Sequence, residues 1–342
     1  MRHKVHLLTT GGTIAHLSNQ DGIAVMSFDP ARLLASVNLP DIDLECTEVL
    51  RKGSMDIVPN DWRTIASATA AALYKDASGI VILHGTDTMH YTAAALSFML
   101  QELSVPVVLT GSMVPGGDSG SDALPNLRDA ILIAAYADIA EICVVFSADA
   151  ERSKGMVIRG SRARKVRSHS IDAFASINEP PIAYVAGDKL IFSEVKRRLR
   201  RARTLRTAFD IEEDVALIKP TPGLTPRRLK QQLEGTAAAV LEGTGVGHIR
   251  SDLGAVVADF RKPVVISTQA VYGGERLGAY TVDKQILNIP NIIPAGDMSS
   301  ETSLVKLMWA LKQKEDIRAL MQRSVAGEIT SRGSTSALHP TS

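Results

Sequence analysis

The stretch Gly79–Met89 constrains the fold of this chain most, because an apolar run passes directly into a polar turn. The run Ile80–Leu83 is mostly β-branched and predicts a strand that is buried on both faces. The turn His84–Thr88 follows, and the helix formers of Tyr91–Leu100 predict a helix after it. Open α/β sheets bind their ligands at this kind of junction, where a strand ends and a helix begins.

The turn contains three consecutive polar residues, Thr86, Asp87 and Thr88. A helix start needs one N-cap residue, so three candidates exceed what capping requires. Backbone N–H groups and the positive end of the helix dipole face the same place. We therefore favour a functional site here over the alternative that the three residues are interchangeable N-caps.

Similar junctions recur along the first half of the chain. Strands that mostly end in Thr, Ser or Gly turns are predicted at Val5–Leu8, Leu44–Leu50, Gly79–Leu83, Val105–Leu109, Ile142–Phe146 and Met156–Ile158. Helices are predicted over 59–74, 91–100 and 126–136, and a mobile loop over 16–29. This alternation predicts an α/β fold whose larger N-terminal domain is a doubly wound, mostly parallel sheet.

The second half repeats the rhythm on a smaller scale. Strands are predicted at Val215–Ile218, Ala237–Leu241 and Val264–Ser267, with a helix over Glu301–Leu311. A length of 342 residues also indicates two domains. We predict an N-terminal α/β domain over 1–190, a linker over 191–213, a smaller C-terminal α/β domain over 214–329 and a disordered tail over 330–342.

Composition argues against a nucleic-acid or membrane partner. Lys+Arg 38 nearly balance Asp+Glu 37, and the basic run Lys196–Arg203 lacks interleaved aromatic residues. We interpret that run as a solvated linker or linker helix. Cys46 and Cys143 stand in no metal-binding spacing and are typical of buried thiols in a reducing compartment. The short apolar run near the N-terminus predicts no signal peptide, and we expect a cytoplasmic protein.

The turns offer threonine hydroxyls, which become nucleophiles only when a base removes their proton. No Ser-His-Asp arrangement can be assembled, and a structural hydrogen-bonding role for His84 is as good an interpretation as a catalytic one. A desolvated lysine is the other familiar base, and Asp87 could orient one beside Thr86. Lys165 lies in the cation-rich segment Arg159–Ser168, but spacing alone favours a solvated basic face there. A phosphate-binding loop at Gly11-Gly12 is a weaker alternative, since GxGxxG and GK[ST] are both missing.

Two motifs, Thr10–Ala15 and His84–Met89, together resemble the paired signature of the bacterial-type L-asparaginases. The resemblance continues through segments that cover nearly the whole chain except the tail: Lys165–Ser168, Asp172–Phe174, Gly243–Gly247 and Asp297–Glu301. It implies hydrolysis of L-asparagine to L-aspartate and ammonia, with a glutaminase side activity and without cofactor or metal. It also implies a homodimer or homotetramer whose active sites lie near subunit interfaces.

Carried over position by position, the resemblance assigns the nucleophile to Thr13, which forms an acyl-enzyme. Thr86, Asp87 and Lys165 form a second triad that transfers protons and activates the deacylating water. Ser54 and Asp87 match positions that hold the α-carboxylate and α-ammonium groups of the substrate. The resemblance implies substrate contacts at Gly12, Ser54, Met55, Gly85, Thr86, Asp87 and Ser112, with backbone atoms making the contact near the scissile amide at the Ser112 turn.

Two departures from the family bear on affinity, turnover and substrate identity. The family usually has a tyrosine in the loop after the first turn, but the interval from Ala15 to Phe28 has none, and Tyr272 is the candidate replacement. Met55 stands where the family often has a polar substrate contact, and a thioether cannot replace a hydrogen-bonding amide.

Three hypotheses follow. The preferred one is a cytoplasmic type I L-asparaginase, which the segments Asp297–Glu301 and Leu304–Leu307 resemble. The second is the ammonia-supplying, asparaginase-like subunit of an archaeal glutamyl-tRNA amidotransferase, to which Arg162–Lys165 and Glu242–Gly245 are similar and for which the basic linker would be the contact. The third is a non-catalytic amino-acid-binding protein, against which the retention of a lysine-activated threonine argues.

Overall fold

The computed structural model describes residues 2–12, 16–18, 24–26, 37, 39–278 and 283–330. The chain divides into two compact units, Met1–Ile211 and Glu212–Ser342. Thr13 lies outside the described residues, as does the predicted tail from 331 onward. No helix in the described part of the chain is both long enough and apolar enough to cross a membrane.

The first unit alternates strands with helices. Its strands, in chain order, are β1 (His3–Gly11), β2 (His16–Ser18), β3 (Ala24–Met26), β4 (Ile42–Lys52), β5 (Gly79–Leu83), β6 (Leu100–Gln101), β7 (Val107–Thr110), β8 (Ile142–Ser147), β9 (Gly155–Arg159), β10 (Ala163–Lys165), β11 (Phe174–Ser176), β12 (Ala183–Ala186), β13 (Lys189–Phe192) and β14 (Arg206–Thr207). Its α-helices are α1 (Pro59–Leu73), α2 (Met89–Met99) and α3 (Ala123–Tyr136), and 3-10 turns span Ser54–Asp56 and Gly160–Arg162.

The main sheet of this unit has 8 strands in the order β13-β12-β9-β8-β7-β5-β1-β4. From β4 to β8 neighbouring strands run parallel, whereas β9, β12 and β13 pair antiparallel. Strand β5 is buried throughout, as its apolar run predicts. The predicted doubly wound, mostly parallel sheet is therefore confirmed, and the carboxyl ends of β1, β5 and β7 meet at one edge.

Helices cover both faces of this sheet. Alternate strand residues such as Val81 and Leu83 pack with Leu127 and Ile131 of α3 in one core cluster. Helices α1 and α2 also contact the sheet. Strand residues that alternate with Val81 and Leu83, such as the buried Ile82, point to the opposite face of the sheet. Pro59 opens α1 at its first helical position, where a missing N–H costs nothing.

The second unit is a smaller α/β layer. Its strands β15 (Val215–Ile218), β16 (Ala238–Gly243), β17 (Val264–Thr268) and β18 (Ile292–Pro294) form a parallel sheet in sequence order. Its helices are α4 (Pro226–Leu233), α5 (Ser251–Phe260), α6 (Asp283–Leu287), α7 (Ser300–Ala310) and α8 (Ile317–Gln322). The sequence pattern did not predict α4, α5, α6, α8 or β18. The helix α4 buries only Leu229 and Leu233, so its apolar pattern is sparse.

The structure qualifies two expectations for the first unit. Lys196–Arg203 contains no helix, and it is not simply solvated, because the Arg200 guanidinium donates hydrogen bonds to the carbonyls of Ala137 (2.5 Å) and Ala134 (2.7 Å). The run is therefore fastened along the first unit. Within the predicted loop 16–29, β2 and β3 pair antiparallel, while residues 19–23 and 27–29 lie outside the described residues.

Candidate active site

The site is built on the turn after β5, where Thr86 is buried and Asp87 has a side chain that is 58% exposed. His84, the first residue of this turn, holds the turn in place through both nitrogens of its ring. Its Nδ1 lies 2.7 Å from the carbonyl oxygen of Gly85, and its Nε2 lies 2.9 Å from the hydroxyl of Thr92 in α2. His84 therefore ties the turn to the helix that follows, which is the structural role weighed for it.

Lys165 reaches this turn from β10, which pairs with β11 in a short antiparallel hairpin. Its Nζ donates hydrogen bonds to Thr86 Oγ1 at 2.9 Å and to Asp87 Oδ1 at 2.6 Å. The Lys165 side chain is only 12% exposed, so it does not belong to a solvated basic face. An ammonium group thus contacts a hydroxyl and a carboxylate at once, an arrangement suited to moving a proton to or from Thr86.

Glycines allow the first turn to touch this one. Gly12 has a φ of +88°, and a Cβ added there would lie 2.4 Å from the backbone nitrogen of Gly85. A Cβ on Gly85 would in turn lie 2.7 Å from Ser54 Oγ. Only glycine fits such close approaches of backbone to neighbour. Gly12 therefore lies against Gly85, and Gly85 lies against Ser54, at one edge of the sheet.

Ser54 opens the 3-10 turn after β4 and is buried. Its hydroxyl accepts a hydrogen bond from the Asp87 N–H at 3.2 Å, and its carbonyl accepts one from the Thr88 hydroxyl at 2.7 Å. Thr88 is the N-cap residue of α2, yet its side chain makes no capping bond. The alternative of three interchangeable N-caps is therefore wrong. Met55, next to Ser54, is 74% exposed.

Ser112 lies in the turn after β7, which is hydrogen-bonded to the β5 turn. The His84 N–H donates to the Thr110 carbonyl at 2.9 Å. A Cβ on Gly111 would lie 2.3 Å from the His84 carbonyl oxygen, so the two turns are in contact. Ser112 is fully buried, and its Oγ has no hydrogen-bond partner within the described ranges.

Two buried histidines flank the triad and remain neutral near pH 7. Burial lowers the pKa of His84 to about 4, against a smaller opposing effect of its bond to Gly85. Burial also lowers the pKa of His90 to about 4, with further lowering by the Arg164 and Lys165 charges. His90 Nδ1 has no hydrogen-bond partner among the residues described.

The structure thus brings together Gly12, Ser54, Gly85, Thr86, Asp87 and Lys165, and places Ser112 in the adjoining turn. Thr13 directly follows Gly12 in sequence but is outside the described residues. His90, Asp122 and Asn126 were not predicted from the sequence. The Ser121-Asp122 pair before α3 was the one available signal, as a helix N-cap.

Comparison with known proteins identifies the class. The family model described as "Asparaginase, N-terminal" matches residues 4–198, and the model described as "Glutaminase/Asparaginase C-terminal domain" matches residues 214–322. An L-asparaginase of Thermococcus kodakarensis is 42% identical over 339 residues, covering 96% of this chain and 99% of that protein. A glutamyl-tRNA(Gln) amidotransferase subunit of Aeropyrum pernix is 34% identical over 345 residues, covering 96% of this chain and 80% of that protein.

Solved structures agree with these relatives. The thermostable L-asparaginase from Thermococcus kodakarensis matches with a TM-score of 0.87 and 39% identity, covering 96% of this chain and 99% of that one. L-asparaginase I from Vibrio cholerae matches with a TM-score of 0.84 and 30% identity, covering 97% of this chain and 100% of that one. Fold and relatives define an α/β amidohydrolase. The chain belongs to the asparaginase family.

Proposed function

We propose that this protein is an L-asparaginase that hydrolyses the side-chain amide of L-asparagine through an acyl-enzyme on Thr13. The observation that carries the proposal is the double contact of Lys165 Nζ with Thr86 Oγ1 (2.9 Å) and Asp87 Oδ1 (2.6 Å). A binding protein has no need of an ammonium group placed on a buried hydroxyl. The L-asparaginase relative supports the same substrate.

In the proposed reaction, Thr13 Oγ attacks the amide carbon, and the tetrahedral intermediate collapses by releasing ammonia. Water then attacks the acyl-enzyme, and L-aspartate leaves as the hydroxyl of Thr13 regains its proton. Thr86, Asp87 and Lys165 relay the protons of these steps. The exposed Asp87 carboxylate holds Lys165, and the hydrogen bond from Lys165 stabilises negative charge that develops on Thr86.

The remaining contacts favour binding of an α-amino acid. Asp87 offers a carboxylate for an α-ammonium group, while Ser54 offers a hydroxyl for an α-carboxylate. Backbone N–H groups at Gly12 and Gly85 are the proposed oxyanion donors, each contributing on the order of 3 kcal/mol. Ser112 is the proposed contact near the scissile amide, and Met55 lines the substrate side of Ser54. Glutaminase side activity follows from the same constellation.

The alternative of an ammonia-supplying subunit is favoured by the amidotransferase relatives, of which the Aeropyrum pernix protein is one. In the basic run 196–203, the feature proposed as its contact surface, Lys196 and Arg201 are exposed, whereas two other cations are engaged within the first unit. The Arg200 guanidinium is bound to backbone carbonyls, and Arg203 is ion-paired with Glu102 at 2.6 Å. We propose cytoplasmic location and a homodimer or homotetramer as further properties of the asparaginase.

Ammonia release from the purified protein tests the proposal, with L-asparagine, L-glutamine and D-asparagine each supplied over a wide concentration range. Saturable release from L-asparagine, reduced strongly in Lys165→Met and retained in the exposed-pair control Lys75→Met, is the expected result. Release that appears only after a second protein component is added would favour the amidotransferase alternative. L-aspartate binding without any release would favour the amino-acid-binding alternative.

A further inference from the structure

A buried polar network lies directly behind the turn that carries Ser112. Asp122 and Asn126 of this network are 0% and 2% exposed. The Asp122 carboxylate accepts hydrogen bonds from the N–H groups of Met113 (3.0 Å) and Val114 (3.0 Å). Asn126 Nδ2 donates to Asp122 Oδ2 at 2.9 Å and to the Gly111 carbonyl at 3.0 Å. We name these two residues the Asp122–Asn126 network.

The position of Asp122 makes these bonds unexpected. Asp122 is the N-cap residue of α3, where an aspartate ordinarily accepts hydrogen bonds from its own helix, yet its side chain makes no capping bond. Its carboxylate binds the preceding turn instead. A buried charge held by several N–H donors is a rigid anchor, because each charge-assisted bond is stronger than a neutral one.

The network holds Ser112 from both sides. Asn126 fixes the carbonyl of Gly111, the residue before Ser112, and Asp122 fixes the N–H groups of Met113 and Val114, which follow it. The Ser112 hydroxyl itself is enclosed and has no partner within the described residues. A buried polar atom left unpaired costs free energy and calls for an explanation, and the amide group of the substrate is the partner that the proposed function supplies.

The turn that carries Ser112 also contacts the turn after β5, which carries Thr86 and Asp87. The Thr110 carbonyl accepts the His84 N–H at 2.9 Å, and Gly111 packs against the His84 carbonyl. Any shift of the Ser112 turn therefore changes its distance to Thr86 and to the bound amide. A misplacement of about 1 Å in a site of this kind can cost about 10²-fold in rate or binding.

We propose that Asp122 and Asn126 are positioning residues that set Ser112 against the side-chain amide of the substrate. The inference rests on the proposed L-asparaginase function. The two residues act through the turn and touch no reacting atom. Loosening the network therefore weakens binding of the amide end, in addition to any effect on folding.

The test compares Asn126→Ala and the shape-conserving Asp122→Asn with wild-type protein. The KM for L-asparagine and the inhibition constant of L-aspartate are measured, because a loss of folded enzyme alone changes neither. Both constants are expected to rise about 10-fold or more in each variant, which corresponds to about 1.4 kcal/mol of lost binding free energy. Values within twofold of wild type, whatever the kcat, would overturn the proposal.

Glu141→Gln is the matched control. Glu141 is also a buried carboxylate in a polar network, ion-paired with Arg159 and accepting the Arg198 N–H at 2.6 Å. It precedes β8, so it lies at the amino ends of the parallel strands, opposite the site edge. We expect it to lower the Tm without changing either constant. Equal rises in Glu141→Gln and Asn126→Ala would also overturn the proposal.

The experiment separates this inference from the proposed function. If wild-type protein releases no ammonia, the L-asparaginase proposal fails, and the network is then tested by L-aspartate binding alone in calorimetry. If wild-type protein is active and the variants keep both constants, only the positioning role fails. Should Asn126→Ala not fold, Asp122→Asn carries the test, since it retains the size of the side chain.

Discussion

The Nζ atom of Lys165 lies 2.9 Å from Oγ1 of Thr86, although 79 residues separate the two along the chain. The hairpin of β10 and β11 carries the lysine, and the turn after β5 carries the threonine. Two separately built elements thus converge on one contact, which the proposed mechanism uses for proton transfer. This contact is the part of the site on which the proposed hydrolysis depends most.

Lys165→Met is therefore expected to lower kcat by about 10²- to 10⁴-fold, because it removes the hydrogen-bond donor to Thr86 while keeping an unbranched side chain that is one atom shorter. Steady-state ammonia release checks the rate, and L-aspartate binding checks that the site still forms. Lys75→Met is the control, since the Lys75 ammonium group makes an exposed pair with Glu45 at 3.4 Å. A Lys165→Met enzyme with near wild-type kcat would exclude the proposed relay.

Thr13→Ala tests the nucleophile. If Thr13 carries the acyl group, its loss should reduce kcat by about 10⁴-fold or more while L-aspartate still binds. Mass spectrometry of wild-type protein quenched during turnover should show an adduct that Thr13→Ala lacks. An adduct that persists in Thr13→Ala would instead assign the acyl group to another hydroxyl, with Thr86 the first to examine.

Met55→Gln tests the departure from the family at the substrate side of Ser54. Met55 is 74% exposed, so a polar side chain of similar length fits there without repacking. A new hydrogen bond to the substrate is worth roughly 1 kcal/mol, which corresponds to a KM about fivefold lower. Met55→Leu, which adds no hydrogen-bonding group, is the control and should leave KM unchanged. Equal KM values in all three proteins would show that residue 55 does not contact the substrate.

Much of the fold could be predicted because the signals are local. The apolar run at Ile80–Leu83 forms the buried strand β5, and the excess of polar residues at Thr86–Thr88 marks the site. The basic run 196–203 could be predicted only in part, because its composition does not reveal that the Arg200 guanidinium binds the carbonyls of Ala134 and Ala137.

The site could be predicted only in part, since its contacts join distant segments. Spacing alone gave no reason to prefer Lys165 over the arginines around it, and only the resemblance to asparaginases selected it. The bonds of Asp122 to Met113 and Val114 had no sequence signal beyond an N-cap. The His90 ring likewise became notable only when the fold buried its Nδ1 with no partner among the described residues.

His90→Phe tests the effect of that burial on acid stability. The folded-state pKa of His90 is about 4, against an ordinary value of 6.5. As pH falls below 6.5 the unfolded chain takes up the proton first, so stability is lost between pH 6.5 and 4, by about 3 kcal/mol for the whole shift. Phe cannot take up that proton, so the Tm of His90→Phe should rise relative to the Tm of wild type as pH falls through this range.

Thermal unfolding of wild type and His90→Phe between pH 8 and pH 4 measures this difference. His169→Phe is the control, because His169 is exposed in the same unit. Its Tm should follow the wild-type curve. Parallel curves for wild type and His90→Phe would show that the histidine is protonated equally in the folded and unfolded chain.

Lys306 and Glu328 form a buried ion pair in the second unit, which offers a separate test of stability. Both side chains are 0% exposed, and Lys306 Nζ lies 2.5 Å from Glu328 Oε1. Lys306 Nζ also donates to the carbonyls of Met321 (3.1 Å) and Arg323 (2.7 Å), while Glu328 accepts the Val325 N–H at 2.9 Å. The pair thus fastens the segment after α8 to α7. Glu328→Gln leaves the buried ammonium without its counter-charge and should cost about 3–5 kcal/mol.

Three variants distinguish charge from packing at this pair. Glu328→Gln should lower the Tm most, and the double variant Lys306→Met with Glu328→Gln should recover part of the loss, because no unpaired charge then remains in the interior. The control Glu315→Gln breaks an exposed pair with Arg323 (3.0 Å) and should change stability by less than about 1 kcal/mol. A double variant that is less stable than Glu328→Gln would mean that the hydrogen bonds of Lys306 to the Met321 and Arg323 carbonyls outweigh the cost of its unpaired charge.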